Sequence, residues 1–279
     1  MKKISRRSFL AASGLTIAAL ALTACGGSAS TASSAASSAA ASSEAASTSA
    51  AAAELTTVEA GKLTMATNAT FPPYEMTTDA GEFEGIDIEA AQAIADKLGL
   101  ELQIDDMDFD AALLSVQQGK ADIVMAGVTV TDERKAVMDF SDSYATGIQS
   151  VIVPEGSDIA SPDDLAGKKI GTQRGTTGYI YCTDDFGEDA VVAYDSGLTA
   201  VQALNNGQVD AVVIDNAPAK EFVAANPGLV ILDTSYAEED YAIGMAKGSS
   251  LEDAVNAVLE ELKADGTLQS IVDKYITAE

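Results

Sequence analysis

A chain of 279 residues with 47% hydrophobic side chains can bury one large core or two smaller ones. Trp and His are absent, which excludes Ser-His-Asp and Cys-His catalysis and any His-ligated metal. The formal charge of −27 opposes binding to nucleic acid or anionic lipid and suits a protein kept soluble at a crowded surface.

Met1–Ala24 reads as an export signal. Lys2, Lys3, Arg6 and Arg7 precede an apolar run from Phe9 to Leu22 that ends in small residues. The run is too short and wrongly flanked for a transmembrane helix. Leu22-Thr23-Ala24-Cys25 resembles a bacterial lipobox, and cleavage before Cys25 would leave its thiol to carry diacylglycerol. Ser5-Arg6-Arg7-Ser8-Phe9-Leu10 also resembles a twin-arginine signal, with Ala11 where a basic residue often ends that motif, so two export routes stay open. Residues 26 to about 53 are almost wholly Ala, Ser and Thr, cannot bury a core, and read as a tether that reaches residue 57. Cys182 is then alone, so no intramolecular disulfide forms, and without a His partner it reads as a small buried hydrophobe.

Folded material starts near Val58. Lys62–Thr67 reads as a strand, and Asn68–Glu75 as a loop stiffened by Pro72-Pro73. Gly85-Ile86-Asp87 opens a helix to Leu98 that Gly99 stops, with Ile88, Ala91, Ile94, Ala95 and Leu98 on one apolar face. A strand over 100–104, a helix over 108–118 ended by Gly119, and a buried strand over 122–126 complete a βαβα order that predicts a parallel sheet. Gly127 breaks that strand and allows close backbone approach. Thr131 reads as a helix N-cap, with Asp132 and Glu133 in the first turn. Arg134 then falls near the strand's carboxyl edge, where open α/β sheets bind ligands, and its planar fork suits a carboxylate.

Past Tyr144 the chain changes character. Gln149–Val153 is extended and crosses to another lobe. Ser161-Pro162-Asp163-Asp164 starts a short helix, Lys169–Thr172 is a strand, and Gly175-Thr176-Thr177-Gly178 is a tight loop opening a helix. The order strand 191–194, helix 196–206, strand 209–214, helix 216–225 follows, then a strand over 229–232. Tyr241–Ala246 returns to the first lobe, and helices over 250–264 and 267–275 close the chain. Gln118-Gly119-Lys120-Ala121-Asp122-Ile123-Val124 repeats weakly as Asn206-Gly207-Gln208-Val209-Asp210-Ala211-Val212. Together these features predict two similar α/β lobes with a cleft between them. One is discontinuous, residues 58–147 plus 240–279, and the other is 150–237.

The order Gly127-x-Thr129-x-Thr131-Asp132-Glu133-Arg134, continuing to Asp139-Phe140-Ser141, resembles the extracellular solute-binding proteins of family 3, which serve ABC importers of polar amino acids. The resemblance covers residues 61 to 279. It implies a two-lobed periplasmic-binding-protein-like fold of type II, each lobe a mixed, mostly parallel sheet flanked by helices, joined by a two-strand hinge. It further implies that Arg134 clamps the α-carboxylate, with Gly127, Val128 and Thr129 beside it and Thr176 and Thr177 facing it across the cleft. A hydroxyl such as that of Thr129 can serve either end of a zwitterion. Asp215, after an aliphatic strand, would hold the α-ammonium with the Gly127 carbonyl, although the same position suits an N-cap for the next helix. Phe71 and Phe109 would sandwich the ligand, with Tyr74 on the same wall.

Asn68 departs from the family's frequent Asp, and Gln173 at the matching position of the second lobe is also neutral. Two amides at the side-chain end favour a neutral ligand of the glutamine, asparagine or cystine kind. The expected protein is a monomeric lipoprotein, lipid-anchored at the extracytoplasmic face of a bacterial membrane. It binds a free polar L-amino acid and hands it to permease subunits, with no cofactor, metal, nucleic acid or catalysis. The rivals are a secreted enzyme of the prephenate-dehydratase kind on the same fold, with Glu75 or Asp87 as candidate acids, and an amino acid sensor module.

Overall fold

The structure, a computed structural model, describes residues 55–233 and 235–276. The export signal, Cys25 and most of the tether lie outside the described residues. Strand β1 (Lys62–Thr67) falls where expected. The anticipated loop over 68–75 instead contains two short strands, β2 (Thr70–Phe71) and β3 (Glu75–Thr77), which pair antiparallel and continue to β4 (Phe83–Glu84). Pro72 and Pro73, which cannot donate to a ladder, occupy the turn between β2 and β3. Helix α1 (Ile86–Leu98) and strand β5 (Glu101–Asp106) follow, then helix α2 (Phe109–Gln117) and strand β6 (Ile123–Val124). β6 is shorter than expected because Gly127, at φ 54°, turns the chain out of the sheet. Helix α3 (Asp132–Val137) begins as read: the Thr131 hydroxyl accepts from Arg134 N at 3.2 Å.

Strand β7 (Met138–Phe140) was not anticipated, and β8 (Ala145–Pro154) is longer than the run 149–153. The second half contributes β9 (Ile170–Gln173), α4 (Thr177–Phe186), β10 (Val191–Tyr194), α5 (Gly197–Asn205), β11 (Ala211–Asp215), α6 (Asn216–Ala225) and β12 (Leu229–Ile231). The return splits into β13 (Ala237–Tyr241) and β14 (Gly244–Ala246), and α7 (Glu252–Ala264) and α8 (Thr267–Tyr275) finish the chain against α1.

Two mixed sheets result. The first has the order β5-β1-β6-β14-β7, with β1 parallel to β5 and β6 and with β14 antiparallel to its neighbours. The second has the order β10-β9-β11-β8-β12, with β13 also pairing β8. There β9 runs parallel to β10 and β11, while β8 is antiparallel to its partners. The chain leaves the first sheet between Phe140 and Ala145 and re-enters it between Tyr241 and Gly244. The two connections lie side by side, Gln149 opposite Ala237 and Ala145 opposite Tyr241, and form the two-strand hinge.

The internal repeat is present at the level of single hydrogen bonds. Gly119 and Gly207 close α2 and α5 in the same way, each N–H donating at 3.0 Å to the carbonyl three residues back. Asp122 Oδ2 then accepts from Thr64 N, and Asp210 Oδ2 from Lys169 N, both at 2.7 Å. Asp122 is buried and also accepts from Val58 N at 2.7 Å, whereas Asp210 is exposed. Each buried backbone donor left without a partner costs about 1–3 kcal/mol. Asp122→Ala should therefore lower unfolding free energy by about 2–4 kcal/mol and Asp210→Ala by less than about 1 kcal/mol. Urea midpoints at constant m-value provide the measurement.

Candidate functional site

Arg134 sits at the end of the first turn of α3, and its guanidinium turns back under the loop that leads there. Nη1 donates to the Thr129 carbonyl at 2.7 Å and Nη2 to the Gly175 carbonyl at 3.1 Å. The guanidinium carbon lies 5.4 Å from the centre of the Phe109 ring, at the start of α2, a cation–π distance. Burial pulls the Arg134 pKa down, and the nearby Glu239 carboxylate pushes it back up. Gly175 reaches this position in the left-handed region, at φ 73°, and a Cβ there would collide with the Asp110 carboxylate. The positive φ favours glycine, and any larger residue would also make the Asp110 side chain swing aside.

Asp215 ends β11. Its side chain makes no cap for α6, so the capping reading does not hold. It accepts instead from Gln149 Nε2 at 2.7 Å and from the Tyr241 hydroxyl, one donor from each hinge strand. Burial pushes its pKa up to about 7; the Tyr241 bond opposes that shift and the Glu239 charge adds to it. Thr176 rather than Thr177 caps α4, accepting from Tyr179 N at 3.3 Å. That leaves the Thr177 hydroxyl to donate to Glu239 Oε2 at 2.9 Å. Thr129 donates to the same oxygen at 3.1 Å, and Gln149 Nε2 at 3.0 Å.

At the other end Asn68 Oδ1 accepts from Gln173 Nε2 at 2.8 Å, joining β1 to β9 across the gap between sheets. Asn68 Nδ2 is held by the Met107 carbonyl at 2.9 Å. Behind them Asp87 Oδ2 accepts from Gly127 N at 2.9 Å. Glu75 lies against Asp87, wholly buried, with neither oxygen meeting a hydrogen-bond donor in good geometry. Burial and the Asp87 charge push the Glu75 pKa well up, and burial raises Asp87 to about 6.

These groups enclose about 310 Å³ of empty space, part of it open to solvent. Asn68, Phe71, Phe109, Gly127, Thr129, Arg134, Gln173, Thr176, Thr177 and Asp215 all line it. Two other expected residues stand behind the lining. Val128 is fully buried in the cluster of Ala66, Phe109 and Val124. Tyr74 stacks on Phe71 at 5.9 Å and meets Tyr241 edge-on at 5.3 Å. Ala126 lines the space without having been anticipated, Glu75 lines it although it was named only as a candidate acid of the rival enzyme, and Glu239, Gln149 and Tyr241 act on the lining from the hinge. Cys182 is buried elsewhere, in the cluster under β8 and β9, and burial pushes its thiol up to about 12. Among the described residues no group of carboxylates or thiols is arranged to hold a metal ion.

A cleft between two α/β lobes, lined by one buried guanidinium and by the buried carboxyl groups of Asp215 and Glu75, has the form of a two-lobed solute-binding protein. Residues 63–278 match the model of the bacterial extracellular solute-binding proteins, family 3, and the chain belongs to that family. It is similar to the L-cystine-binding protein TcyJ of Escherichia coli (strain K12), 33% identical over 226 residues that cover 79% of this chain and 85% of that one. Its fold superposes on an ancestral arginine-binding protein bound to glutamine (41% identity, TM-score 0.75, 78% of this chain and 99% of that one). The likeness extends to an ancestral arginine-binding protein bound to arginine (42% identity, TM-score 0.74, 77% and 98% of the two chains). Its relatives in the family are amino acid-binding proteins of ABC transporters.

The raised carboxyls set the pH dependence of stability. The folded chain holds protons on Asp215, Asp87 and Glu75 more tightly than the unfolded chain does. Stability contributed by these groups is therefore present below about pH 4 and is lost as pH rises toward 7. Urea unfolding of the ligand-free protein at pH 4.5 to 7.5 should show this decline. In Asp215→Asn the slope should be shallower by up to one proton, about 1.4 kcal/mol per pH unit.

Proposed function

We propose that the chain captures a free polar L-amino acid in this cleft by closing two lobes, and delivers it to the permease subunits of an ABC importer. Residues 58–147 with 240–279 would form one lobe and 150–237 the other. Removal of residues 1–24 would leave Cys25 lipidated, with residues 25–57 tethering a monomeric binding protein to the extracytoplasmic face of the membrane. The chain catalyses no reaction in this scheme.

One observation carries the reading: Arg134, on the helix after β6 of the first sheet, and Asp215, at the end of β11 in the second, are both buried and line one cavity. An α-carboxylate would take the free N–H groups of the Arg134 fork, and an α-ammonium would take Asp215 and the Gly127 carbonyl. Phe71 and Phe109 would flank the guest. Micromolar affinity requires about 8 kcal/mol. A charge-assisted hydrogen bond nets about 1.5–3 kcal/mol, so four or five such bonds suffice after the ordering cost.

The Asn68–Gln173 amide pair supports a neutral side chain of the glutamine or cystine kind. A second reading, a cationic amino acid, is favoured by Glu75, a buried carboxyl beside Asp87 in the same lining, which a guest cation would draw toward its ionised form. A thermal-shift screen against the twenty amino acids with cystine, ornithine and citrulline decides between them. A ligand at a hundredfold its Kd stabilises by about 2.7 kcal/mol and stands out clearly. Arg134→Ala should abolish that shift and the calorimetric binding signal while the far-ultraviolet spectrum stays native. Unchanged affinity in this variant would refute the clamp.

A further inference from the structure

Glu239 lies on hinge strand β13, outside every motif discussed above, yet three donors converge on its Oε2. Two are the hydroxyls of Thr129 and Thr177, which line the cleft from opposite lobes; the third is the amide of Gln149 on β8. The other oxygen, Oε1, is buried with no donor in good hydrogen-bond geometry, although the Tyr181 hydroxyl lies close to this carboxylate. A carboxylate only accepts, whereas a hydroxyl carries a single hydrogen. The two hydroxyls also lie 3.4 Å from each other, but both contacts to Glu239 are shorter, so each threonine gives its one hydrogen to the carboxylate and keeps its lone pairs for the cleft. Gln149 Nε2 also reaches Asp215, so the reversed amide would set a carbonyl oxygen against two carboxylates. That fixes Gln149 as a donor and leaves Glu239 as the acceptor of the cluster.

We propose that Glu239 is a positioning residue that turns the Thr129 and Thr177 hydroxyls into hydrogen-bond acceptors toward the cleft, so that they select an α-ammonium. This rests on the amino acid reading above and deepens it. An ammonium has three N–H groups: Asp215 and the Gly127 carbonyl would take two, and the hydroxyls offer an acceptor to the third. A carboxylate at the same place would face lone pairs and be turned away. It is left to the Arg134 fork and to the Thr177 backbone N–H, one of the unpaired donors in the first turn of α4. Orientation of the zwitterion thus depends on a side chain that need not touch it.

The test is a double-mutant cycle by titration calorimetry, with L-arginine, L-glutamine and L-cystine as probes. Glu239→Gln nearly preserves shape but adds a donor, and should weaken binding at least about tenfold. Thr129→Val with Thr177→Val should weaken it comparably. Adding Glu239→Gln to that pair should cost less than about threefold, because nothing remains for Glu239 to orient. Glu239→Met, which removes the acceptor without adding a donor, runs the same cycle should Glu239→Gln not fold. Glu239→Asp, still an acceptor, should keep more affinity than Glu239→Gln. Wild-type affinity in Glu239→Gln, or a full tenfold loss on the Val/Val background, overturns the proposal and leaves the amino acid reading standing. A wild-type protein that binds none of the three probes and gives no shift with any member of the full amino acid screen removes the reading itself.

Discussion

A guanidinium taken out of water must be met by oxygen on every side it exposes, and Arg134 takes its oxygen from both lobes. One carbonyl belongs to Thr129, in the loop leaving the first sheet, and the other to Gly175, in the loop opening the second sheet's helix. The Phe109 ring covers one face. Neither loop alone could bury this charge, so its desolvation is tolerated only when the lobes approach. In an opened cleft Gly175 would withdraw, and water or a guest carboxylate would take its place. The same side chain would then bind the guest and sense closure, which ties capture to the hinge without any separate signal.

The hinge carries the opposite charge. Glu239 and Asp215 are joined through Gln149, and Tyr241 ties Asp215 to the returning strand. Asp87 and Glu75 lie behind Gly127. Four buried carboxyls thus surround a region with one buried guanidinium, and burial raises three of them out of the ordinary range. Such a site is short of positive charge. A guest bringing an ammonium relieves that shortage, whereas a plain carboxylate does not. The large negative charge of the whole chain works in the same direction only at long range, where salt screens it.

What was legible in the sequence follows the range of the signal. Strand 191–194 and helices 216–225 and 267–275 have the expected limits, because caps, glycines and apolar periodicity within a few residues set them. Arg134 and Asp215 were legible for a related reason: Asp215 ends a buried strand and Arg134 lies in the first turn of the helix that follows one, so the chain order places both near a sheet edge. The limits of β6 were not, since Met125 and Ala126 stay buried while Gly127 turns the backbone away. Glu239 was hidden in Glu238-Glu239-Asp240, which looks like a solvated acidic run. Strand periodicity could have found it: residues 239 and 241 share a face, and Tyr241 is apolar enough to mark that face as buried. Its partners, on Thr129, Thr177 and Gln149, are 62 to 110 residues away, beyond the reach of any local pattern.

The repeat explains why the cleft is dipolar rather than symmetric. Both halves use one scaffold up to the strand: a helix closed by glycine, then an aspartate gripping the amide of a neighbouring strand or its approach. These copied features lie at the strands' amino ends, away from the site. At the carboxyl ends the two copies part. β6 leaves through Gly127 and needs several residues to reach Thr129 and Arg134, whereas β11 runs straight into Asp215 and α6. Folding demands the first junction in both copies and leaves the second free, since open sheets place ligands at their carboxyl edges. One copy could therefore come to offer a cation and the other an anion without disturbing the core, and a zwitterion is the simplest guest that meets both.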